Sequence, residues 1–313
     1  MRRALIAGLA TALVAGPLWW GARHRTARGW RPAAGEHHRL ALHVRTLGDG
    51  PPLVLLHGLL GSERFWGAEY DQLATDHRVI APDLLGFGRS PHPDHGYTAD
   101  EHAEAVAATL DGPGITMPAT VVGHSLGALI ALRLAARDPA RVAAIVAFGP
   151  PLYPDPEAAE RHISGLGELA ALFALDTPWA RRTCTWMCDH RAVAGWLAVA
   201  LHPELPIPVA LDSVQHSWAS YSRTLAEVII AARAGAWLDA LTIPIVVVAG
   251  DEDQVLDHAY LDRLAVCSSL TLERWAGAHD LPLSRPADCA ARIAAVAADQ
   301  AVARSTPTTR CSL

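Results

Sequence analysis

The sequence has few cysteines, and the body of the chain has no strongly basic region. Its five cysteines, an odd number among 313 residues, are scattered. They do not form the dense, evenly paired pattern of a disulfide scaffold, and they favour a reduced compartment. The net charge is −6, and no lysine- or arginine-rich face occurs outside the N-terminal segment. The low basic charge argues against a nucleic-acid partner.

The N-terminal segment is basic around an uncharged run, residues 4–20, which arginines precede and follow. A secretory signal needs a cleavage site of small residues, and Pro17 and two tryptophans follow the best candidate site here. Residues 1–36 are therefore predicted to be an uncleaved membrane anchor and basic linker. More arginines follow the run than precede it, which predicts that the large domain lies on the cytoplasmic side. Secretion after signal cleavage and a buried or disordered N-terminal helix are the alternatives.

Apolar runs of strand length alternate with helical patterns along most of the chain. An alternating strand is predicted over residues 39–46, and further strands are predicted over 53–56, 79–82, 120–122, 142–148, 243–249 and 270–275, of which 53–56 and 243–249 have the continuous apolar pattern of buried strands. Helices are predicted over 65–74, 97–110, 128–136, 257–265 and 286–302. This alternation predicts an α/β fold with a mostly parallel central sheet flanked by helices, built from residues 37–150 and 239–303.

Residues 151–238 differ in character from the rest. Prolines interrupt them repeatedly, and they carry half of the ten tryptophans. Such an insertion between two strands predicts a helical lid over the crevice at the strand ends, above a largely apolar pocket. Trp218, together with His57 and His124 of the core, is a predicted pocket residue. The serine- and threonine-rich tail, residues 304–313, is predicted to be disordered.

The pattern Gly123-His124-Ser125-Leu126-Gly127 stands between a predicted strand and a predicted helix. This context is typical of a nucleophile elbow, in which glycines flank the serine where side chains would collide with the strand or the helix. The backbone amide of Leu126 is then a predicted oxyanion donor. The amide of Leu59, in a glycine-bearing loop after the strand 53–56, is the predicted second donor, and His57 in that loop is predicted to be structural.

A nucleophilic serine needs a base, and the base needs an acid to orient it. His279 follows the last predicted strand and is the predicted base. An acidic cluster follows the strand before it, and spacing alone leaves both Asp251 and Asp253 open as the acid.

Cys184, Cys188 and His190 invite interpretation as a metal site. No fourth ligand is evident, so buried thiols that pack in the lid are favoured, and neither a metal nor a cofactor is predicted.

The chain resembles the α/β-hydrolase fold superfamily from about residue 39 to the C-terminal helix. Five segments carry the resemblance: His-Gly-Leu-Leu at 57–60, Asp-Leu-Leu-Gly-Phe-Gly-Arg-Ser at 83–90, Gly-His-Ser-Leu-Gly at 123–127, Gly-Asp-Glu-Asp at 250–253 and Gly-Ala-His at 277–279. The resemblance implies Asp253 as the acid and the amides of Leu59 and Leu126 as oxyanion donors. Ala128 stands where the family commonly has glycine. A serine nucleophile argues against the epoxide-hydrolase and dehalogenase branches.

The resulting functional prediction is a metal-free serine hydrolase of the esterase and lipase-like branch. Ser125, His279 and Asp253 would cleave carboxylic esters of a small apolar or lipid-like substrate through an acyl-enzyme. A carbon–carbon bond hydrolase of the meta-cleavage-product type is the alternative enzyme. A ligand receptor or interaction protein on the same fold is the alternative from another class.

Overall fold

Seven strands form one sheet at the centre of the molecule. The computed structural model describes residues 41–111, 115–166, 178–267 and 270–305. The strands are β1 (Val44–Leu47), β2 (Pro52–Leu56), β3 (Arg78–Pro82), β4 (Ala119–His124), β5 (Val142–Phe148), β6 (Ile245–Gly250) and β7 (Leu270–Trp275). They are ordered β1-β3-β2-β4-β5-β6-β7, and all neighbours pair in parallel except β1 and β3. The predicted, mostly parallel α/β sheet is confirmed.

Each face of the sheet carries its own hydrophobic core. Successive side chains of a strand point to opposite faces. In β2, Leu53 and Leu55 therefore belong to one core, and Val54 and Leu56 belong to the other. All five residues of β2 are buried, as expected for a parallel strand covered by helices on both faces.

Four core helices follow the predicted pattern: Ala99–Leu110, Leu126–Arg137, His258–Cys267 and Pro286–Ser305. A short helix that was not predicted, Leu281–Ser284, precedes the last of them. Thr98 caps the first of these with a capping box: its hydroxyl accepts from the amide of Glu101, and the Glu101 carboxylate accepts from the Thr98 amide. The predicted helix 65–74 is instead two 3₁₀ segments, Glu63–Phe65 and Ala68–Thr75, because Gly67 between them is extended at φ −64° and ψ −171°.

Helices follow one another between β5 and β6. The described ones are Pro156–Ser164, Pro178–Asp189, Arg191–Leu201, Ile207–Asp212, Trp218–Thr224, the π-helical Leu225–Ile230 and Ala234–Asp239. We call this segment the inserted helices. They follow the carboxyl end of β5, and their role as a lid stays a prediction. The predicted anchor, residues 1–36, lies outside the described residues, as does most of the predicted tail.

Helix Pro286–Ser305 ends three residues beyond the predicted boundary at 302.

None of the helices in the described ranges is long and apolar enough to cross a membrane.

Candidate active site

Ser125 occupies a strained turn between β4 and helix Leu126–Arg137. Its backbone lies at φ 51° and ψ −115°, a region that residues with a side chain rarely adopt. The Ser125 amide donates to the carbonyl of Phe148 on β5 at 2.9 Å, which ties the turn to the sheet. Strain of this kind persists only where the surrounding structure imposes it, and it is common at functional sites.

Two glycines allow the strand and the helix to meet at this turn. A Cβ atom on Gly123 would lie 2.4 Å from the carbonyl oxygen of Gly127 and from the amide nitrogen of Ala128. A Cβ atom on Gly127 would lie 2.4 Å from the carbonyl oxygen of Leu56 on β2. Because these neighbours are backbone atoms that cannot turn aside, only glycine fits at either position. This agrees with the collision predicted from the sequence.

Replacing Gly123 by alanine is expected to lower the free energy of unfolding by at least about 1–3 kcal/mol, the range of overpacked sites. The measurement is urea denaturation followed by tryptophan fluorescence. Gly67→Ala is the control, because its added methyl group would meet only the end of the flexible Glu69 side chain, at 3.0 Å. An equal loss of stability in both variants would contradict the steric explanation.

The loop after β2 lies against the serine turn. Leu56 pairs with Gly123 in the register of β2 and β4, so the loops that follow these strands leave the same edge of the sheet. A Cβ atom on Gly58 would lie 3.3 Å from the Cβ of Ser125. Leu59 therefore follows a residue in close contact with the serine. Leu126 is the first residue of its helix, and its amide has no carbonyl partner within that helix.

Asp253 and His279 form a pair at the same edge of the sheet. Asp253 follows β6, His279 follows β7, and Asp253 Oδ2 lies 2.8 Å from His279 Nδ1. The Asp253 side chain is fully buried, and its other carboxylate oxygen accepts from the Val255 amide at 2.9 Å. Since the carboxylate accepts the proton on Nδ1, the lone pair of the neutral ring is left on Nε2, where a base needs it.

Asp251, the rival acid, has another partner. It is exposed, and its Oδ1 accepts from the backbone amide of Gly277 at 2.9 Å. Asp251 thereby fixes the loop that leads to His279. The structure therefore assigns the imidazole contact to Asp253 and the loop contact to Asp251.

His124 connects the serine turn to the His279 loop. Its Nε2 donates to the carbonyl of His279 at 3.1 Å, and the two rings lie 4.8 Å apart, centroid to centroid. Phe65 stacks on the His124 ring at 4.7 Å. Burial lowers the pKa of His124 well below its usual value, with His279 adding to the shift. His124 therefore stays neutral, and its single ring proton, on Nε2, makes the hydrogen bond to the His279 carbonyl.

The other two predicted pocket residues lie apart from this contact. His57 is completely buried; its Nδ1 donates to the Gly58 carbonyl at 2.8 Å, and its Nε2 accepts from the Leu84 amide at 2.9 Å. This is the structural role that the sequence favours for His57. Trp218 begins one of the inserted helices, with its ring 6.0 Å from that of Tyr221, and it stays a prediction as a pocket residue.

His102 is a buried histidine between helix Ala99–Leu110 and the inserted helices. Its Nε2 lies 3.1 Å from the hydroxyl of Thr224, and burial lowers its pKa from 6.5 to about 3. As the pH falls below about 6.5, His102 therefore becomes protonated in the unfolded chain but stays neutral in the folded chain. The contribution of His102 to stability is complete above that pH and declines as the pH falls towards 3.

From about pH 7.5 to about pH 5, this titration is expected to remove about 2 kcal/mol from the free energy of unfolding. In His102→Gln, which keeps a donor for Thr224 but does not titrate, the loss over this pH range should be smaller by that amount. Urea denaturation at both pH values measures it, with the exposed His95→Gln as the control. Identical pH dependence in wild type and His102→Gln would rule this contribution out.

Comparison with known proteins agrees with the fold. A family model described as the alpha/beta hydrolase fold matches residues 51–173. A putative carbamate hydrolase, RutD, from Variovorax paradoxus (strain S110) is 32% identical over 243 residues, which cover 72% of this chain and 84% of that protein. The chain belongs to the α/β-hydrolase fold family.

Further relatives share parts of the chain. A probable lysophospholipase of Arabidopsis thaliana, BODYGUARD 4, is 32% identical over 157 residues, which cover 46% of this chain. The match spans only 37% of that plant protein. The crystal structure of a putative aryl esterase from Burkholderia cenocepacia superposes with a TM-score of 0.63 at 17% identity, covering 84% of this chain and 98% of that one. A likeness at this identity shows the fold alone.

One cluster of side chains differs from the sequence-based expectation. His190 does not join Cys184 and Cys188; its Nδ1 donates to the Trp186 carbonyl at 2.9 Å, and its ring stacks on that tryptophan. His216 lies beside the two cysteines instead. The sequence offers no spacing signal for this, because His216 lies 28 positions beyond the nearer cysteine.

Proposed function

We propose that this protein is a serine hydrolase that cleaves carboxylic esters, with Ser125 as nucleophile, His279 as base and Asp253 as orienting acid. One observation carries the proposal: a strained serine between a strand and a helix lies at the same sheet edge as a histidine held by a buried carboxylate. The match to the alpha/beta hydrolase family model also supports the proposal.

In the proposed reaction, the Ser125 hydroxyl oxygen attacks the ester carbonyl while His279 Nε2 takes the hydroxyl proton. The amides of Leu59 and Leu126 donate to the developing oxyanion. The imidazolium, stabilised by Asp253, then protonates the leaving alcohol, and an acyl-enzyme remains. A water molecule, deprotonated by His279, attacks the acyl group, and the protonated His279 then returns the proton to the Ser125 oxygen as the acid product leaves.

The exposed surface of the inserted helices supports an apolar substrate. Seven of the nine exposed large hydrophobic residues in the described chain lie there: Trp179, Trp186, Val193, Trp196, Leu197, Leu201 and Ile207. Exposed apolar side chains concentrated in one segment favour contact with lipid or another apolar partner. We therefore propose that the inserted helices act as a lid over a lipid-like or other apolar ester. A relative named as a probable lysophospholipase is in keeping with this.

We further propose that residues 4–20 hold the protein at a membrane, with the catalytic domain on the cytoplasmic side. The uncharged run and the arginines after it support this. Fractionation of cells that make the full chain provides the measurement. Uncleaved protein in the soluble fraction, or cleaved protein outside the cell, would contradict the anchor.

A fluorophosphonate probe tests the catalytic proposal, because it labels only an activated serine. We expect stoichiometric labelling of the wild type, and labelling that is lost in Ser125→Ala and strongly slowed in His279→Ala. Esters of increasing acyl length then measure the size of the pocket. Absence of labelling in folded wild-type protein would contradict the proposal and favour the receptor alternative.

The carbon–carbon hydrolase alternative is separated by substrate. Both reactions use the same three residues, so labelling alone does not distinguish them. We expect steady hydrolysis of p-nitrophenyl esters and no turnover of a dienoate diketone. The reverse result would replace the ester proposal with that alternative.

A further inference from the structure

Two cysteines and a histidine meet among the inserted helices. Cys184 and Cys188 lie one turn apart on helix Pro178–Asp189, and His216 lies before helix Trp218–Thr224. The two sulfurs and a histidine nitrogen all lie within 4.8 Å of one another. Cys184 and His216 are buried, and Cys188 is half-buried. We call these three residues the thiol–imidazole cluster.

The distances fit a shared tetrahedral metal ion. Two sulfurs bound to one zinc at about 2.3 Å are about 3.8 Å apart, and a sulfur and an imidazole nitrogen are about 3.6 Å apart. The sulfurs of Cys184 and Cys188 lie 3.9 Å apart, and Cys184 Sγ lies 3.4 Å from His216 Nε2. The remaining pair, Cys188 Sγ and the His216 nitrogen, lies within 4.8 Å.

The histidine is held in the tautomer that a metal needs. Its Nδ1 lies 3.0 Å from the Ser213 carbonyl, which can only accept, so Nδ1 carries the proton. The lone pair of the neutral ring is then on Nε2, the nitrogen beside the sulfur of Cys184. A backbone carbonyl that accepts the other ring proton is the usual second contact of a metal-bound histidine.

The backbone of His216 is fixed as well as its ring. The His216 carbonyl accepts from Arg191 Nη2 at 2.9 Å and from the thiol of Cys188 at 3.1 Å. The residue also forms an isolated antiparallel bridge with Phe87, which belongs to the loop after β3. The histidine is therefore held in place before any ion binds, which lowers the free energy lost in ordering it.

Charge is compatible with a divalent ion. A Zn²⁺ ion with two thiolates and a neutral imidazole has no net charge, so the nearby Arg191 guanidinium opposes it little. Metal binding requires thiolates, so both cysteines release their protons when the ion binds.

A disulfide does not explain the pair as well. Residues four apart on a helix have Cβ atoms about 5–6 Å apart. A disulfide needs about 3.5–4.5 Å. Joining Cys184 to Cys188 would therefore require local unwinding of the helix that carries both.

We propose that Cys184, Cys188 and His216 bind one Zn²⁺ ion, with water in the fourth position, and that this ion ties the inserted helices to the loop after β3. The proposal departs from the sequence-based prediction of no metal. It does not depend on the ester-hydrolase proposal, because none of the three ligands belongs to the proposed catalytic residues.

Metal binding by the full chain tests the proposal directly. Chelator-treated protein is loaded with Zn²⁺, freed of excess by gel filtration and analysed by elemental mass spectrometry. We expect one zinc per chain. Competition with a chromophoric chelator then measures the affinity. In each of Cys184→Ser, Cys188→Ser and His216→Gln, the affinity for zinc should fall by more than roughly 100-fold. A loss of that size exceeds what removing a hydrogen-bond partner of a ligand can cause.

Two variants serve as matched controls. His190→Ala removes the neighbouring imidazole, and Cys289→Ser removes a thiol in helix Pro286–Ser305; both should keep one zinc with wild-type affinity. Replacing Zn²⁺ by Co²⁺ in the wild type should give thiolate-to-cobalt charge-transfer absorption. This readout does not depend on any variant folding. Saturating Zn²⁺ should also raise the Tm of the wild type by roughly 5–10 °C.

Three results would overturn the proposal. One is wild-type protein that retains no zinc after gel filtration. Another is zinc retained equally by wild type and all three ligand variants. The third is a Cys184–Cys188 disulfide, seen as a mass loss of two hydrogens in the peptide that holds both, in protein prepared under mild reduction.

Discussion

Ser125→Ala is expected to lower kcat for ester hydrolysis by about 10⁴-fold or more, in line with the loss of a nucleophile from a serine–histidine–aspartate triad. Alanine cannot form the acyl-enzyme, so the remaining rate comes only from substrate binding and the oxyanion amides. Stability should change little, because alanine and serine share the steric constraint of the turn at φ 51°.

Steady-state kinetics and intact-mass detection of the acyl-enzyme measure this effect. Ser284→Ala is the matched control, since Ser284 is exposed and, among the described residues, its hydroxyl bonds to the carbonyls of Asp280 and Leu281 near His279. That variant should keep wild-type kinetics and form the acyl-enzyme. An active Ser125→Ala enzyme, free of wild-type contamination, would show that another residue is the nucleophile.

Asp253→Asn is expected to lower kcat by about 10⁴-fold while the protein stays folded. The amide can place its NH₂ group against His279 Nδ1, 2.8 Å away in the wild type. The ring would then carry its proton on Nε2, where it cannot accept one from Ser125. The asparagine oxygen can still accept from the Val255 amide, so the loop should keep its shape.

Asp251→Asn provides the matched control for the acid. The oxygen of asparagine can still accept from the Gly277 amide, which is the contact that Asp251 makes. We therefore expect only a small fall in kcat. Comparable losses in the two variants, both folded by circular dichroism, would remove Asp253 from its proposed role.

The strands and the serine turn are largely predictable because their signals are local. Residues 142–148 and 270–275 are strands with the predicted limits, since each is an unbroken apolar or alternating run. The two glycines around Ser125 predict a tight turn because no other residue fits where the backbones meet. The 3₁₀ segments near Gly67 were not predictable from apolar spacing, which does not register a break of one residue.

The acid of the proposed triad and the thiol–imidazole cluster show what local sequence patterns do not reveal. Asp251 follows β6 directly and Asp253 lies two residues further along, so both are candidates, and only the path of the loop decides which carboxylate reaches His279. The helical spacing of Cys184 and Cys188 places them on one face, but it favours His190 as their neighbour. His216 replaces it because its backbone pairs with Phe87 in the core.

By itself, the sequence determined the α/β class, the order of the strands along the chain and the turn that holds Ser125. These depend on apolar periodicity and backbone sterics, which act over a few residues. The tertiary structure alone decided the contact between Asp253 and His279, the burial of His57 and the meeting of His216 with two cysteines. Those contacts join residues 26 to 32 positions apart, or loops from different strands. The packing of the whole sheet and its insertion therefore sets them.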